Sequence, residues 1–106
     1  MTLLTRRVTI TIVIRSFRDG ETGKIWRGEV SRRLPRDIQE VARRKLRMLA
    51  NAQCLKDLAI PPANRLEPLR GSRKGQHGIR INDQWRVCFR WSGVDAHDVE
   101  IVDYHR

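Results

Sequence analysis

The sequence predicts an α+β fold: a small, twisted, mainly antiparallel sheet of four or five strands, with two or three helices packed on one face. Three observations predict it. Val8 to Phe17 is β-branched and partly alternating. One apolar stripe at helical spacing runs from Ile38 to Ala52. After Leu66, short apolar-alternating runs are separated by turn residues. The 106 residues are expected to form one domain with a single modest core. A hydrophobic content of 40% in regular patterns argues against a disordered chain.

The first strand is expected over Val8 to Phe17, closed by Asp19-Gly20. A short helix follows around Lys24 to Gly28, with Trp26 turned to the core. Leu34-Pro35 begins the main helix, because proline is tolerated in a first turn where its missing N–H has no partner anyway. Asp37 and Glu40 suit the positive end of its dipole. Ile38, Val41, Ala42, Leu46, Leu49 and Ala52 form its buried stripe, with Lys45 at the margin and Arg43, Arg44 and Arg47 facing elsewhere. Leu55 to Ile60 is a further short turn, and Pro61-Pro62 ends any helix there. The sheet resumes at Leu66 to Leu69, and Gly71 to Gly75 is a basic turn. Ile79 and Ile81 point to one side and Arg80 to the other. Asn82-Asp83 is a hairpin turn. Trp85, Val87, Phe89 and Trp91 share one face, and Arg86, Cys88 and Arg90 share the opposite one. Ser92-Gly93 turns again, and Val99 to Tyr104 is the last strand.

The net charge is +10, and arginine supplies 18 of the 22 basic residues. Arginine's planar fork grips phosphate in two places at once, so a phosphate-backbone partner is the first reading. A G+C-rich genome is the bland alternative. Cys54 and Cys88 lack metal-ligand spacing and read as small hydrophobes. No metal or cofactor is expected. No apolar run reaches the ~20 residues a membrane helix needs, and the start lacks a signal-peptide layout. A cytoplasmic protein is expected.

Between Arg65 and Trp91, six arginines and a lysine stand against two carboxylates, Glu67 and Asp83. The chain then ends Asp103-Tyr104-His105-Arg106. Together these supply the parts of a metal-free ribonuclease. Such an enzyme needs a base for the 2′-hydroxyl, cations for the phosphoryl oxygens and an acid for the leaving 5′-oxygen. Glu67 is the candidate base, although the choice between Glu67 and His105 stays open. Arg70, Arg80 and Arg86 are candidate phosphate clamps. His105 is the candidate acid, alone or sharing the proton work with Tyr104. Arg73, Lys74, Arg90 and Asp103 are candidate RNA contacts. Taken singly, each has a duller explanation as a surface charge or a sheet residue. Only their joint occurrence points to this chemistry.

The stretches R-L-E-P-L-R-G, K-G-Q-H-G-I-R-I-N-D-Q-W-R-V-C-F-R-W and D-V-E-I-V-D-Y-H resemble the HigB branch of the RelE/ParE toxin superfamily. The resemblance covers roughly Val13 to His105. It implies a RelE-like fold and a toxin that cuts messenger RNA in the ribosomal A site. It also implies a HigA-type helix-turn-helix antitoxin, through which alone the pair would meet operator DNA. By position it carries catalytic roles to Arg70, Arg86, Tyr104 and His105, with Asp103 completing the C-terminal triplet. Many HigB toxins have histidine where this chain has Glu67; the related YoeB branch has glutamate there, and Arg80 also matches that branch. His77 is expected to have no required role. Residues 1–12 are either an extension or the product of an upstream start. The rival function on the same fold is a ParE-like gyrase poison, which cleaves nothing.

Overall fold

The computed structural model describes residues 13–104. Two helices, α1 (Gly20–Trp26) and α2 (Arg36–Asn51), precede four strands: β1 (Glu67–Pro68), β2 (His77–Arg80), β3 (Trp85–Ser92) and β4 (Asp95–Asp103). The strands lie side by side in chain order, each antiparallel to the next. Both helices pack on one face of the sheet, which is the α+β arrangement expected. Short 3-10 turns at Leu55–Ala59, Pro62–Asn64 and Gly71–Arg73 connect them. Among the described residues no helix is long and apolar enough to cross a membrane.

The stripe on α2 buries Ile38, Ala42, Leu46 and Leu49 against the sheet. Gln39 is buried with it, which the apolar pattern did not announce. Its side chain accepts from the Ser31 N–H and donates to the carbonyls of Ser31 and Leu34, so its burial leaves no polar group unpaired. Arg44 and Arg47 are exposed as expected, but Arg43 is half-buried. Its Nε donates to the Ile25 carbonyl at 3.0 Å and ties α2 to the end of α1.

Three boundaries differ from the sequence reading. The first helix begins at Gly20, not near Lys24, because the Asp19 side chain caps it by accepting from the Thr22 N–H at 2.8 Å. Asp19-Gly20 therefore opens a helix more than it closes a strand. Trp26 packs on the core as expected. Of the first expected strand, residues 8–12 lie outside the described residues. The remainder makes isolated parallel bridges to β4, Ile14 with Ala96 and Phe17 with Val99, and no continuous ladder.

A bulge explains both that interruption and the length of β4. Cys88 pairs with Glu100 but Arg90 pairs with His97, so Asp98 and Val99 together oppose Phe89. Asp98 has φ 53°, and its N–H turns to the Ser16 hydroxyl at 2.9 Å. The extra residue shifts the alternation, so Ala96, Val99 and Ile101 all reach the core. Strict alternation cannot pass through it, and the sequence reading therefore starts the last strand at Val99 instead of Asp95.

The register sets the two faces. Ile79, Val87 and Ile101 stand side by side toward the helices. Glu67, Gly78, Cys88 and Glu100 form a row on the other face, and Arg80, Arg86 and Val102 form the next row. Leu69 folds back over this second face. A Cβ placed on Gly78 would sit 3.3 Å from Leu69 Cδ2, so glycine makes room for that leucine.

Candidate active site

The second face of the sheet carries the candidate site. Glu67 and Arg70 come from β1 and the residues after it, Arg86 from β3, and Tyr104 follows β4. Glu67, Pro68, Arg70 and Tyr104 line a cavity of about 430 Å³. The structure thus brings together four of the five candidate catalytic residues. The fifth, His105, lies outside the described residues.

Arg86 is the centre of the arrangement. It is only 8% exposed, unusual for a guanidinium. A buried charge is costly unless it is paired and hydrogen-bonded. Here Nη1 donates to the Asn82 carbonyl at 2.7 Å, and more weakly to the Trp85 carbonyl at 3.4 Å. Glu67 Oε2 lies 4.0 Å from Nε, an ion-pair distance too long for a hydrogen bond. The guanidinium carbon also sits 5.7 Å from the Tyr104 ring centre, within cation–π range. The Nε itself is buried without a hydrogen-bond partner. Arg86 is therefore a cation held in place.

The Asn82-Asp83 turn supports three of these groups. The Asn82 side chain accepts from the N–H groups of Gln84 and Trp85, both at 2.8 Å, which sets the turn. Its own carbonyl then faces Arg86. The Gln84 carbonyl accepts from the Tyr104 N–H at 2.7 Å, fixing Tyr104 just beyond the end of β4. The Gln84 side chain donates to Asp103 at 3.2 Å. The sequence identifies Asn82 as a turn residue; nothing in it shows that the backbone carbonyls of Asn82 and Gln84 hold the site. Pro68, a lining residue, was likewise not singled out.

The remaining candidates divide. Asp103 is exposed beside Tyr104. Lys74 is exposed on the basic turn and does not line the cavity. Arg80 neighbours Arg86 across the strands but is ion-paired with Asp83. Arg90 pairs with Asp98 at 3.6 Å, near the bulge. Arg73 is half-buried and divides one Nη1 between Gln76 Oε1 and Glu100 Oε1, both at 3.1 Å. That nitrogen is already committed within the fold.

Burial shifts two other groups. Burial pushes the Cys88 thiol up to about 11, so it stays protonated beneath Leu69. Burial also depresses His77, whose ring stacks on Phe89 with centres 6.3 Å apart. Among the described residues no group of three or more His, Cys, Asp or Glu side chains is placed to hold a metal ion.

A family profile described as the RelE-like HigB toxin of type II toxin–antitoxin systems matches residues 15–105, a span that includes every candidate residue. Toxin HigB-1 of Vibrio cholerae is 47% identical over 60 residues, covering 57% of this chain and 63% of that protein. Endoribonuclease HigB of Proteus vulgaris is 37% identical over 41 residues, covering 39% of this chain and 45% of that protein. The chain thus spans less than two-thirds of the length of either relative. The crystal structure of a YafQ mutant from E. coli shares the fold, with a TM-score of 0.51 at 18% identity, over 82% of this chain and 86% of that one.

Proposed function

The chain belongs to the RelE-like HigB toxins of type II toxin–antitoxin systems, and we propose that it is an endoribonuclease that cleaves messenger RNA on the ribosome. The observation that carries this reading is the convergence of Glu67, Arg70 and Tyr104 on one cavity, with the buried Arg86 behind Glu67 and Tyr104. A carboxylate, a guanidinium and a phenol around one opening, with a second guanidinium buried behind them, match what a phosphodiester needs when a neighbouring hydroxyl attacks it.

In this mechanism Glu67 removes the 2′-hydroxyl proton. The 2′-oxygen bonds to phosphorus, and the bond from phosphorus to the 5′-oxygen breaks. The products are a 2′,3′-cyclic phosphate and a 5′-hydroxyl. Arg70 at the cavity, with the buried positive charge of Arg86 behind it, stabilises the charge that gathers on the phosphoryl oxygens. Tyr104 orients the phosphate or stacks on a base. His105, next in the chain, protonates the leaving oxygen. Positioned acid–base groups contribute roughly 10²–10⁴-fold each.

The net charge of +10 suits a cleft walled by ribosomal RNA, and binding is expected to weaken steeply with salt. A type II toxin requires an antitoxin; we expect a HigA-type partner with an acidic face, and work in the cytoplasm where ribosomes are. Primer extension on a defined messenger, with and without programmed ribosomes, tests the proposal. Cuts within codons that need ribosomes and vanish in His105→Ala and Arg86→Lys support it. Growth arrest with no cut under any condition sinks it and favours a protein target such as gyrase.

A further inference from the structure

Arg70 and Tyr104 face one cavity but come from distant parts of the chain. Arg70 heads the loop between β1 and β2, where it precedes the 3-10 turn Gly71–Arg73, and Tyr104 follows β4. β1 is two residues long and pairs only with β2, so its own ladder gives that loop little support. Something else must fix the distance across the cavity.

Arg73 links the two elements. Its backbone N–H closes the turn on the Arg70 carbonyl at 3.1 Å. Its side chain reaches over the second face of the sheet to Glu100 on β4, four residues before Tyr104. The same Nη1 meets Gln76, which is 4% exposed, and the Gln76 carbonyl accepts from the Leu69 N–H at 2.9 Å. Leu69, directly before Arg70, is 4% exposed against Gly78. Arg70 is thus tied to the body of the protein through Arg73, Gln76 and Leu69, and of these three Arg73, through Glu100, reaches the strand that leads to Tyr104.

We propose that the Arg73–Glu100 ion pair sets the width of the cavity by tying the Arg70 loop to β4, so that Arg73 and Glu100 are positioning residues for the reaction and not RNA contacts. The proposal rests on the ribonuclease reading. A misplacement of about 1 Å from such a change can lower turnover ~10²-fold without altering substrate affinity.

The test compares Arg73→Ala, Glu100→Leu and the exchange of Arg73→Glu with Glu100→Arg, using programmed ribosomes carrying a defined messenger. Each single variant is expected to lower kcat by roughly tenfold or more at unchanged KM, and the exchange to recover most of it. Melting curves verify that the proteins compared are folded. Should Glu100→Leu fail to fold, Arg73→Ala and the exchange carry the same comparison. The proposal is overturned if Arg73→Ala raises KM and flattens the salt dependence while Glu100→Leu cuts normally, because that is the behaviour of a phosphate contact. It is overturned equally if both single variants cut like the native protein. If the native protein cuts no RNA at all, the ribonuclease reading fails on its own. The tie is then judged by amide hydrogen exchange at Leu69 and Lys74 in Arg73→Ala: faster exchange supports it, and native rates overturn it.

Discussion

The two faces of β3 are buried by opposite means. Toward the helices, Val87 and Phe89 are fully buried among aliphatic neighbours, and the driving force is removal of apolar surface from water. Toward the other face, Arg86 and Cys88 are buried almost as completely, beneath a loop and an aromatic ring. That burial is held by backbone carbonyls, ion pairs and one folded-back leucine. The first face can be altered at a cost in stability alone. The second gives up stability to keep a guanidinium at a fixed point beside a cavity, the pattern expected where a fold serves chemistry.

The sharpest way to break this contrast is Arg86→Lys. It keeps the charge but loses the planar fork that meets the Asn82 carbonyl and the Tyr104 ring. We expect cleavage to fall by roughly 10²–10³-fold, the usual loss for one preorganised donor at a developing oxyanion. Single-turnover cleavage on programmed ribosomes measures it. A variant that cuts normally would show that the buried guanidinium is only structural.

The complementary change is on the helix side. Leu46 is fully buried in the core. Leu46→Ala is expected to reduce unfolding stability by about 2–5 kcal/mol, read from denaturant titration, while the folded fraction cuts at the native rate. Activity lost faster than folded protein would mean that the two faces are not separable.

The two cysteines give a smaller, chemical version of the same comparison. Cys54 is exposed and Cys88 is buried with its thiol pushed up to about 11. With a thiol-specific reagent at pH 8, one equivalent is expected to react promptly and the second only on unfolding. The raised value also has a sign in stability. From the ordinary 9.0 upward the unfolded thiol loses its proton first, so stability falls as pH rises from 9 toward about 11. Rapid modification of both thiols in the folded protein would contradict the closed second face.

The helix side of this molecule was largely legible in the sequence, because apolar periodicity reports burial by apolar neighbours. The α2 stripe, the Asn82-Asp83 turn and the alternation of β3 all follow from it. What escaped it are contacts made by backbone and by polar pairs. Gln39 in the core, the cap by Asp19, the bulge at Asp98 and the carbonyl cradle of Arg86 leave no periodic trace. The candidate site was legible as a set of residue types, and Glu67, Arg70, Arg86 and Tyr104 do converge. Which arginines face the opening was not legible. Arg73, Arg80 and Arg90 look the same in sequence as Arg70, but partners distant in sequence or across a turn (Glu100, Asp83 and Asp98) engage them.

The smallest expected effect lies where the two faces meet at an edge. His77 opens β2, stacks on Phe89 on the helix side, and pairs across the strands with Pro68, which lines the cavity. Its Nδ1 is buried without a hydrogen-bond partner, and burial holds its pKa below the ordinary 6.5. As pH falls through 6.5 the unfolded chain therefore takes the proton before the folded one does. The contribution of His77 to stability is complete above that pH and declines below it, toward the depressed folded value. Melting temperatures at pH 7 and pH 5 for the native protein and His77→Phe measure this. The difference between the two proteins isolates His77. A smaller acid loss in His77→Phe is the expected result. An equal loss would show that the imidazole accepts its proton in the folded state as readily as in water, and that this edge of the sheet is open.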